Sequence, residues 1–441
     1  MRRVSSLLIV LFLLILAPSI ARGQSSPSPS TGPTPIVVLK VEGAIDHALM
    51  GYLNSRLAAA EQQGAVVVLQ LNTSGSLNED GVALADRVAA MRVPVIAWVG
   101  PVPAKASGTG LLLMYASSLA AVSPGSQTGP LYPIDLAKPD QELPALSATI
   151  QGWLDARGKA TLLEQLDTPL PAQTALDLKI ADVVAPSVPD LLNSVDGMSV
   201  STPSGPLTLT TRVATNPQEA AERTVDITFD NMGPVKRLLH AVSSPSMIYF
   251  LLVIGLACIA FEITQPGFGF AGFAGIGMLG LATAGAWAVP PSSWFAFVGL
   301  IGGIGLMTAD VRRRELGPLS ALGLAAFAVG SVFAWHGVAA TIRISPFLIG
   351  GTVVASVLFY GFALTVAIQS RDRIVSTQRG LIGLVGVARG KLAPEGPVYV
   401  KGAMWRGRSA GDEPIDAGTQ VRVRGLDGLV LKVEAEPDPY P

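Results

Sequence analysis

The amino-acid sequence predicts a multi-domain protein with an α/β domain, an α-helical transmembrane bundle and a small all-β barrel. Apolar strand-like runs alternate with helical segments in the first half, which is typical of parallel βαβ units. Apolar stretches of about 20 residues follow, the length that a helix needs to cross a bilayer. The last part contains short alternating strands separated by Gly, Pro and Asp turns, which favours a closed barrel.

The composition also indicates a membrane protein. Hydrophobic residues make up 49% of the 441 residues, charged residues only 14%, and the mean hydropathy is +0.48. Soluble domains usually contain about a quarter charged residues. The net charge of −1 gives no electrostatic reason to expect nucleic-acid binding. Because Cys258 is the only cysteine and the three histidines are far apart, neither a metal site nor a cofactor is predicted.

The N-terminus has the layout of a secretory signal peptide, predicted to cover residues 1–23. Two arginines precede an apolar core, and small residues follow up to Gly23. An uncleaved membrane anchor is the alternative, and the helix-breaking Pro18 argues against it. Residues 24–35 are predicted to form a Ser/Pro-rich linker with little apolar surface to bury.

Residues 36–197 are predicted to form the α/β domain. The runs AVVVLQLN and VPVIAWVG are continuously apolar, as expected for strands that helices cover on both faces. Helices are predicted near residues 46–63, 78–91 and 146–165, between the strand-like runs. This order predicts a parallel sheet.

Residues 198–245 are predicted to connect this domain to the membrane. The segment 198–232 is polar and strand-like, with a PSGP turn. In the segment 233–243, Lys236, Arg237 and His240 can share one helical face. We therefore expect an interfacial amphipathic helix that leads into the bilayer.

The membrane region is predicted to cover residues 246–369. Glycines are frequent around the second span, which is compatible with tight helix packing or with a re-entrant hairpin. Five spans are predicted, at residues 246–264, 269–289, 292–310, 318–336 and 346–368.

Charge distribution favours five crossings over four. With the first domain outside, five crossings place the basic segments DVRRREL and QSRDR in the cytoplasm, as the positive-inside rule requires. Four crossings would leave one basic flank outside. The chain is therefore predicted to be a multi-pass cell-membrane protein with the α/β domain extracytoplasmic and the C-terminal domain cytoplasmic.

Residues 370–436 are predicted to form the barrel. About five short strands occupy roughly 60 residues, which is the size of a small closed barrel. Residues 437–441 are predicted to be a disordered tail.

Three stretches resemble one family, the long NfeD-type membrane-bound serine proteases. VVVLQLNTSGSL and AKASGTGLLLMYASSLAAVSPGSQTG resemble its ClpP/crotonase-like domain. FEITQPGFGFAGFAGIG resembles its membrane block, and GLIGLVGVARGKLAPEGPVYVKGAMWRGRS resembles its OB-fold domain. The resemblance implies a homo-oligomer formed through the ClpP-like domain, and a stomatin-like (SPFH) membrane partner besides the lipid bilayer.

The resemblance also implies a Ser–Lys dyad with an oxyanion loop. A serine at a helix start attacks, a neutral lysine accepts its proton, and backbone N–H groups bind the oxyanion. In the loop that corresponds to the family's D-T-P-G-G, Gly75 matches and is the oxyanion-hole candidate, whereas Ser76 replaces the second glycine. The family serine falls on Gly108. Ser107, one residue earlier, is the candidate nucleophile, and its alternative role is that of a helix N-cap.

The family lysine falls near Gln141, and glutamine cannot act as a base. Lys138 lies three residues earlier and is the candidate base, with an ordinary solvated lysine as the alternative. Two dyad positions are therefore changed together.

Four other residues are candidates for a functional role. Asp46 and His47 are predicted to lie on a helix surface with no serine nearby. Glu262 is a functional candidate as a carboxylate within a span, or a solvated residue near its end. Trp405 could stack a base in a nucleic-acid-binding barrel, but a packing role is favoured because residues 370–436 contain no second tryptophan.

Two functional hypotheses follow. In the first, the chain is a non-catalytic NfeD-type membrane protein that binds peptide segments or assembles with a stomatin-like partner. In the second, it is an active membrane-bound serine protease that uses Ser107 and Lys138 to cleave hydrophobic segments of such a partner. A transporter is a third possibility, but the predicted spans contain almost no charge and no clear inverted repeat.

Overall fold

The structure is a computed structural model. It describes residues 34–141, 143, 146–157, 168–213, 225–264, 269–313, 317–364, 380–411 and 413–436. The predicted signal peptide, nearly all of the linker, the tail and the QSRDR segment lie outside the described residues.

The α/β domain is built on a six-stranded parallel sheet. The sheet-forming strands and the helices between them follow the order predicted from the apolar runs. They are β1 (Thr34–Glu42), α1 (His47–Gln63), β2 (Val66–Asn72), α2 (Gly81–Ala89), β3 (Val95–Val99), β4 (Lys105–Ala106), α3 (Thr109–Ala116), β5 (Leu119–Val122), β6 (Gln127–Thr128), α4 (Leu146–Ala156), β7 (Leu170–Pro171), α5 (Ala172–Asp177) and β8 (Val183–Val184).

The remaining elements of this part complete the sheet and connect it to the membrane. They are α6 (Val188–Val195), β9 (Ser199–Thr202), β10 (Gly205–Thr208), β11 (Val225–Asp230) and α7 (Pro234–Val242). The sheet order is β11-β1-β2-β3-β5-β8, and each neighbouring pair is parallel. β11 therefore adds an edge strand from within the segment predicted as a connector. Its alternation of polar and apolar residues suits an edge that is half exposed.

Apolar side chains cover both faces of the sheet. One core cluster packs α1, α2, α3 and α4 against one face, and a second packs α6 against the other. In the second cluster Trp98 is buried, and its indole N–H donates to the Ala185 carbonyl at 3.0 Å. The continuously apolar β2 and β3 therefore have the two-sided burial that their composition predicts.

Within the described part of the membrane region, five α-helices alternate in direction. They are α8 (Pro245–Thr264), α9 (Phe270–Ala288), α10 (Trp294–Arg312), α11 (Pro318–Phe333) and α12 (Pro346–Leu358), with α12 continued by a π-helical turn, Phe359–Leu364. Among the described residues, four helical stretches are long and apolar enough to cross a membrane: Pro245–Thr264, Phe270–Ala288, Trp294–Arg312 and Ala340–Phe362. The fourth predicted span corresponds to α11, whose 16 residues extend about 24 Å.

Two helical hairpins, α8–α9 and α10–α11, have the same construction. Glu262 accepts the N–H groups of Gly269 and Gly272, seven and ten residues later. Asp310 accepts those of Gly317 and Ser320 at the same intervals. Each carboxylate caps the start of the next helix, a favourable place for negative charge. Glu262 thus has a structural partner, and the hairpins form a tandem repeat.

Glycines bring the helices of each hairpin into close contact. A Cβ on Gly275 would lie 2.9 Å from the Gly255 carbonyl oxygen, and one on Gly303 would lie 2.5 Å from that of Gly323. α9 is a continuous helix rather than a re-entrant turn, and Gly275 and Gly285 of this helix have close neighbours, whereas a Cβ on Gly277 or Gly280 would meet nothing within 4 Å.

The α/β domain docks on one end of the bundle. Leu77 and Leu136 pack in the same apolar cluster as the membrane helices, and the Ala339 N–H donates to the Leu136 carbonyl at 2.9 Å. The chain leaves the bundle at the opposite end, where Tyr360 contacts Thr308 near the end of α10.

The C-terminal part is a closed five-stranded barrel, as predicted. Its strands are β12 (Val385–Ala388), β13 (Glu395–Val400), β14 (Ala403–Ser409), β15 (Gln420–Asp427) and β16 (Val430–Ala435), in the order β12-β13-β14-β16-β15. Val398, Val421, Val423, Leu431 and Val433 are fully buried inside it. The predicted fold class is therefore confirmed in all three parts.

Candidate functional site

The candidate oxyanion loop follows β2 directly. Gly75 has a φ of +145°, and a Cβ there would lie 2.8 Å from the Ile134 carbonyl oxygen, so the position requires glycine. Its N–H is directed at the Thr73 hydroxyl at 3.4 Å, while its carbonyl accepts the Ile45 N–H at 2.9 Å. The Gly75 N–H is thus directed at a group of its own loop rather than at an open space that an oxyanion could occupy.

Gly108 occupies the start of helix α3 in a positive-φ conformation that glycine adopts readily and other residues do not. Its φ and ψ are +53° and −122°, and its N–H donates to the Pro130 carbonyl at 2.9 Å. A Cβ at this position would lie 2.4 Å from the Pro133 carbonyl oxygen and 3.1 Å from that of Ser74. The space that a nucleophilic side chain needs at Gly108 is therefore occupied by backbone.

The Ser107 hydroxyl contacts a backbone carbonyl rather than a basic side chain. Its hydroxyl donates to the Ser74 carbonyl at 3.4 Å, and its N–H donates to the Thr73 carbonyl at 3.1 Å. The prediction that Ser107 is a helix N-cap is wrong, because Gly108 is the N-cap of α3 and provides no side-chain hydrogen bond. The left-handed φ at Gly108 moves the helix start one residue later than a serine-capped helix would have it.

A segment of the chain itself pairs with the oxyanion loop. The Ser76 N–H donates to the Ile134 carbonyl at 2.8 Å, and the Leu136 N–H donates to the Ser76 carbonyl at 2.8 Å. The Ser76 and Thr109 hydroxyls also donate to the Ile134 carbonyl, at 3.2 and 3.3 Å. We call residues 130–136 the covering segment, because its backbone uses the hydrogen-bonding groups that an extended peptide would need.

Lys138 and Gln141 lie beyond the covering segment. Both side chains are exposed, and both line a cavity of about 500 Å³ next to Asn78 and Asp135. Ser107 is not among the residues that line it. No hydrogen bond joins Lys138 to Ser107, although both residues are described. The structure therefore does not bring the two candidate dyad residues into contact.

Asp46 is buried rather than on the surface, which corrects the prediction made for it. Its carboxylate caps α1 by accepting the Leu49 N–H at 2.9 Å, and its Oδ2 lies 3.0 Å from Nδ1 of His240. Nε2 of His240 lies 2.9 Å from the Glu42 carbonyl oxygen. His47 remains exposed and contacts Glu79. Sequence reasoning missed the Asp46–His240 pair because the two residues are far apart in the chain.

The Asp46–His240 pair favours the charged form of both groups. Burial acts against ionisation of Asp46, but hydrogen bonds from His240 and the Leu49 amide outweigh it and leave the pKa of Asp46 lowered. The hydrogen bond to Asp46 raises the pKa of His240 despite its burial. The pair therefore ties α7 to the α/β domain as an ion pair.

Trp405 is half-buried and packs against the barrel core. Val398 stands opposite it on β13. This placement favours packing over base stacking.

Comparison with known proteins identifies two domains. Residues 246–366 match the NfeD integral membrane domain, and residues 378–434 match the NfeD-like C-terminal, partner-binding domain. The chain contains both NfeD domains. They correspond to the helical bundle and the closed barrel, so the resemblance predicted from the sequence is confirmed.

The chain is also similar to a relative over almost all of its length. It is 25% identical over 434 residues to "Membrane-bound protease PH1510" of Pyrococcus horikoshii, covering 93% of this chain and 95% of the relative. It is 24% identical over 384 residues to "Membrane protein NfeD1b" of Bacillus subtilis, covering 83% and 85%. A solved structure described as a "1510-N membrane-bound stomatin-specific protease" mutant in complex with a substrate peptide is 23% identical, with a TM-score of 0.41. This likeness covers 48% of this chain and 98% of that one.

Proposed function

We propose that this NfeD protein is a non-catalytic membrane assembly protein that binds a stomatin-like membrane partner. The observation that carries the proposal is the closed site at Gly108. The nucleophile position has no side chain, and a Cβ there would lie 2.4 Å from the Pro133 carbonyl oxygen. A Ser–Lys hydrolase needs a hydroxyl at this place and a nearby amine to accept its proton.

The covering segment is supported from two sides. On one side it pairs with Ser76, and on the other the Leu136 carbonyl accepts the Ala339 N–H at the end of the bundle. Because both contacts use backbone groups, the segment competes directly with any peptide that would pair with the loop. This supports assembly rather than cleavage as the role of the α/β domain, and we propose that the domain also forms a homo-oligomer.

The barrel supplies a surface for the partner. Tyr399 and Met404 stand directly opposite each other on β13 and β14 and are both exposed, with the Arg389 guanidinium 5.5 Å from the Tyr399 ring centroid. An exposed apolar pair next to a cation is typical of an interaction site. The match to a partner-binding domain supports this choice of surface. By name, the solved protease that resembles the α/β domain is specific for stomatin.

The proposed arrangement in the cell membrane has the α/β domain outside and the barrel in the cytoplasm, after removal of residues 1–23. Five helices of alternating direction support opposite sides for the two domains. In this arrangement α11 is a short fourth crossing, and Arg312 and Arg313 face the cytoplasm.

The test is co-reconstitution of the full chain with a stomatin-like protein in liposomes. We expect the wild type and Ser107→Ala to retain the partner equally and to leave it uncleaved. Met404→Glu should reduce retention by about tenfold, since a buried charge at an apolar contact costs more than 1 kcal/mol. Leu429→Glu, in the exposed β15–β16 turn, is the matched control and should retain the partner. Partner cleavage that depends on Ser107 would refute the proposal.

A further inference from the structure

A cavity of about 870 Å³ lies where the α/β domain, α7 and α9 meet. Lys236 and Leu239 of α7 line one side, Asn78 and Glu79 another, and Gly280, Thr283, Ala284 and Trp287 of α9 the third. α7 exposes Val235 and Leu238 beside it, as an interfacial helix does. The cavity is therefore at the level where lipid headgroups meet the protein.

Opposite charges line this cavity at separate points. Lys236 forms no ion pair with any residue that the structure describes, and in particular none with Glu79. Among the described residues, the exposed ring of His47 is the ion-pair partner of the Glu79 carboxylate, at 3.0 Å. A ligand that carries both a negative and a positive group can contact both side chains at once.

Comparing the two hairpins of the tandem repeat shows that Trp287, which lines the cavity, is exposed where its counterpart Trp335 is buried. In the second hairpin, Trp335 is 1% exposed, and its indole N–H donates to the Val289 carbonyl at 3.2 Å. In the first hairpin, the corresponding Trp287 is 89% exposed and has no hydrogen-bond partner among the described residues. Tryptophan at a membrane boundary prefers a site where its ring meets lipid and its N–H meets a polar group.

We propose that this cavity binds one phospholipid with a primary-amine headgroup, a phosphatidylethanolamine. Its phosphate contacts Lys236, and its ammonium group donates to the Glu79 carboxylate. The acyl chains follow α9, where the small residues Gly280 and Ala284 leave room beside Trp287. A phosphatidylglycerol offers no cation to Glu79, and the quaternary amine of a phosphatidylcholine has no N–H to donate.

The test uses native mass spectrometry of the purified full chain, with each of the three lipids added at equal concentration. We expect phosphatidylethanolamine to bind about fivefold more tightly than the other two, and Lys236→Gln to weaken all three about fivefold. Lys236→Arg should restore binding. Glu79→Gln should abolish the preference for phosphatidylethanolamine over phosphatidylcholine.

Two control variants, one away from the cavity and one at its lining residue His47, separate the roles of Lys236 and Glu79 from general lipid contact. Lys40→Gln removes an exposed lysine away from the cavity and should change nothing. His47→Gln breaks the same 3.0 Å contact as Glu79→Gln but keeps the carboxylate, so the lipid preference should persist. Equal binding of the three lipids by the wild type would overturn the proposal. So would equal losses in Lys236→Gln and Lys40→Gln.

Discussion

The α/β domain and the barrel use their surfaces in opposite ways. In the α/β domain, the place where catalysis is expected is filled by backbone, with the Pro133 and Ile134 carbonyls packed over Gly108 and Gly75. In the barrel, the apolar pair Tyr399 and Met404 is exposed on two neighbouring strands. The proposed function rests on this difference, with the α/β domain closed at the candidate site and the partner bound through the barrel, because fold and site chemistry are separate properties.

The closed cleft should show the largest response to a small substitution. Gly108→Ala introduces a Cβ into a left-handed conformation and against the Pro133 oxygen, so we expect the free energy of unfolding of the α/β domain to fall by about 3 kcal/mol. Thermal or chemical denaturation of the purified full chain measures this. The matched control is Gly51→Ala, because a Cβ on this helical glycine meets no atom within 4 Å. Gly51→Ala should leave the free energy of unfolding unchanged or raise it by less than about 1 kcal/mol. Equal effects would show that the cleft is not closed.

In the helical bundle we expect a smaller loss of stability, and only when one of the two neighbouring glycines Gly302 and Gly303 is replaced. Gly303→Ala places a methyl group 2.5 Å from the Gly323 carbonyl oxygen, and we expect the helices to separate at a cost of about 2 kcal/mol. Gly302→Ala, whose Cβ meets nothing within 4 Å, is the control. Melting temperatures of the detergent-solubilised variants distinguish the two. A larger shift for Gly302→Ala would contradict the observed packing.

The Asp46–His240 pair should make the docking of α7 depend on pH. The pKa of His240 is raised in the folded protein, so its contribution is complete below the ordinary value of about 6.5 and is lost as the pH rises through the folded value. The pKa of Asp46 is lowered, so its contribution is lost only as the pH falls through that lower value. We expect amide hydrogen exchange in α7, corrected for its intrinsic rate, to speed up on the alkaline side.

His240→Gln provides the comparison for this pH dependence. At pH 6, the amides of α7 should exchange faster in this variant than in the wild type. Their exchange should also lose most of its dependence on alkaline pH, because glutamine does not titrate. His336→Gln is the control, because the described contact of this histidine is with the Phe333 ring and not with Asp46, and it should leave the profile of α7 unchanged. An unaltered profile in His240→Gln would show that the pair does not hold α7.

The barrel surface should show the smallest effect on stability. Glu395 contacts Arg406 and Arg408 at 2.9 and 2.5 Å, and both arginine side chains are about half exposed or more. Because water screens such pairs, Arg408→Gln should lower the free energy of unfolding by no more than about 0.5 kcal/mol. Denaturation at low and high salt checks this. A loss above about 2 kcal/mol would mean that the barrel surface is as tightly constrained as the cleft.

The sequence predicted the elements well where apolar periodicity is strong. The runs of β2 and β3 and the strands of the barrel all appear as expected, because burial on one or two faces determines their patterns. The segment that contains β11 was predicted to be strand-like but was assigned to the connector, since its polar residues give no sign that it pairs with β1 of the α/β domain. The tandem repeat had a signal that could have been found: Glu262 and Trp287 have the same spacing as Asp310 and Trp335.

The site was predicted only in part. The substitution of glycine at position 108 was visible in the sequence, but the covering segment was not. Its contacts join residues that are distant along the chain, such as Ser76 and Ile134, and backbone pairing of this kind leaves no mark in residue type. The burial of Asp46 was missed for the same reason, since its partner His240 comes from the connector.

The central claim is that the α/β domain does not hydrolyse peptides. The most direct measurement is the hydrolysis of a fluorogenic peptide that copies the apolar C-terminal segment of a stomatin-like protein. The purified full chain, Ser107→Ala and Lys138→Ala would be measured side by side. The structure predicts that all three have the same rate as buffer. Hydrolysis by the wild type that both substitutions abolish would contradict the account and establish Ser107 and Lys138 as a working dyad.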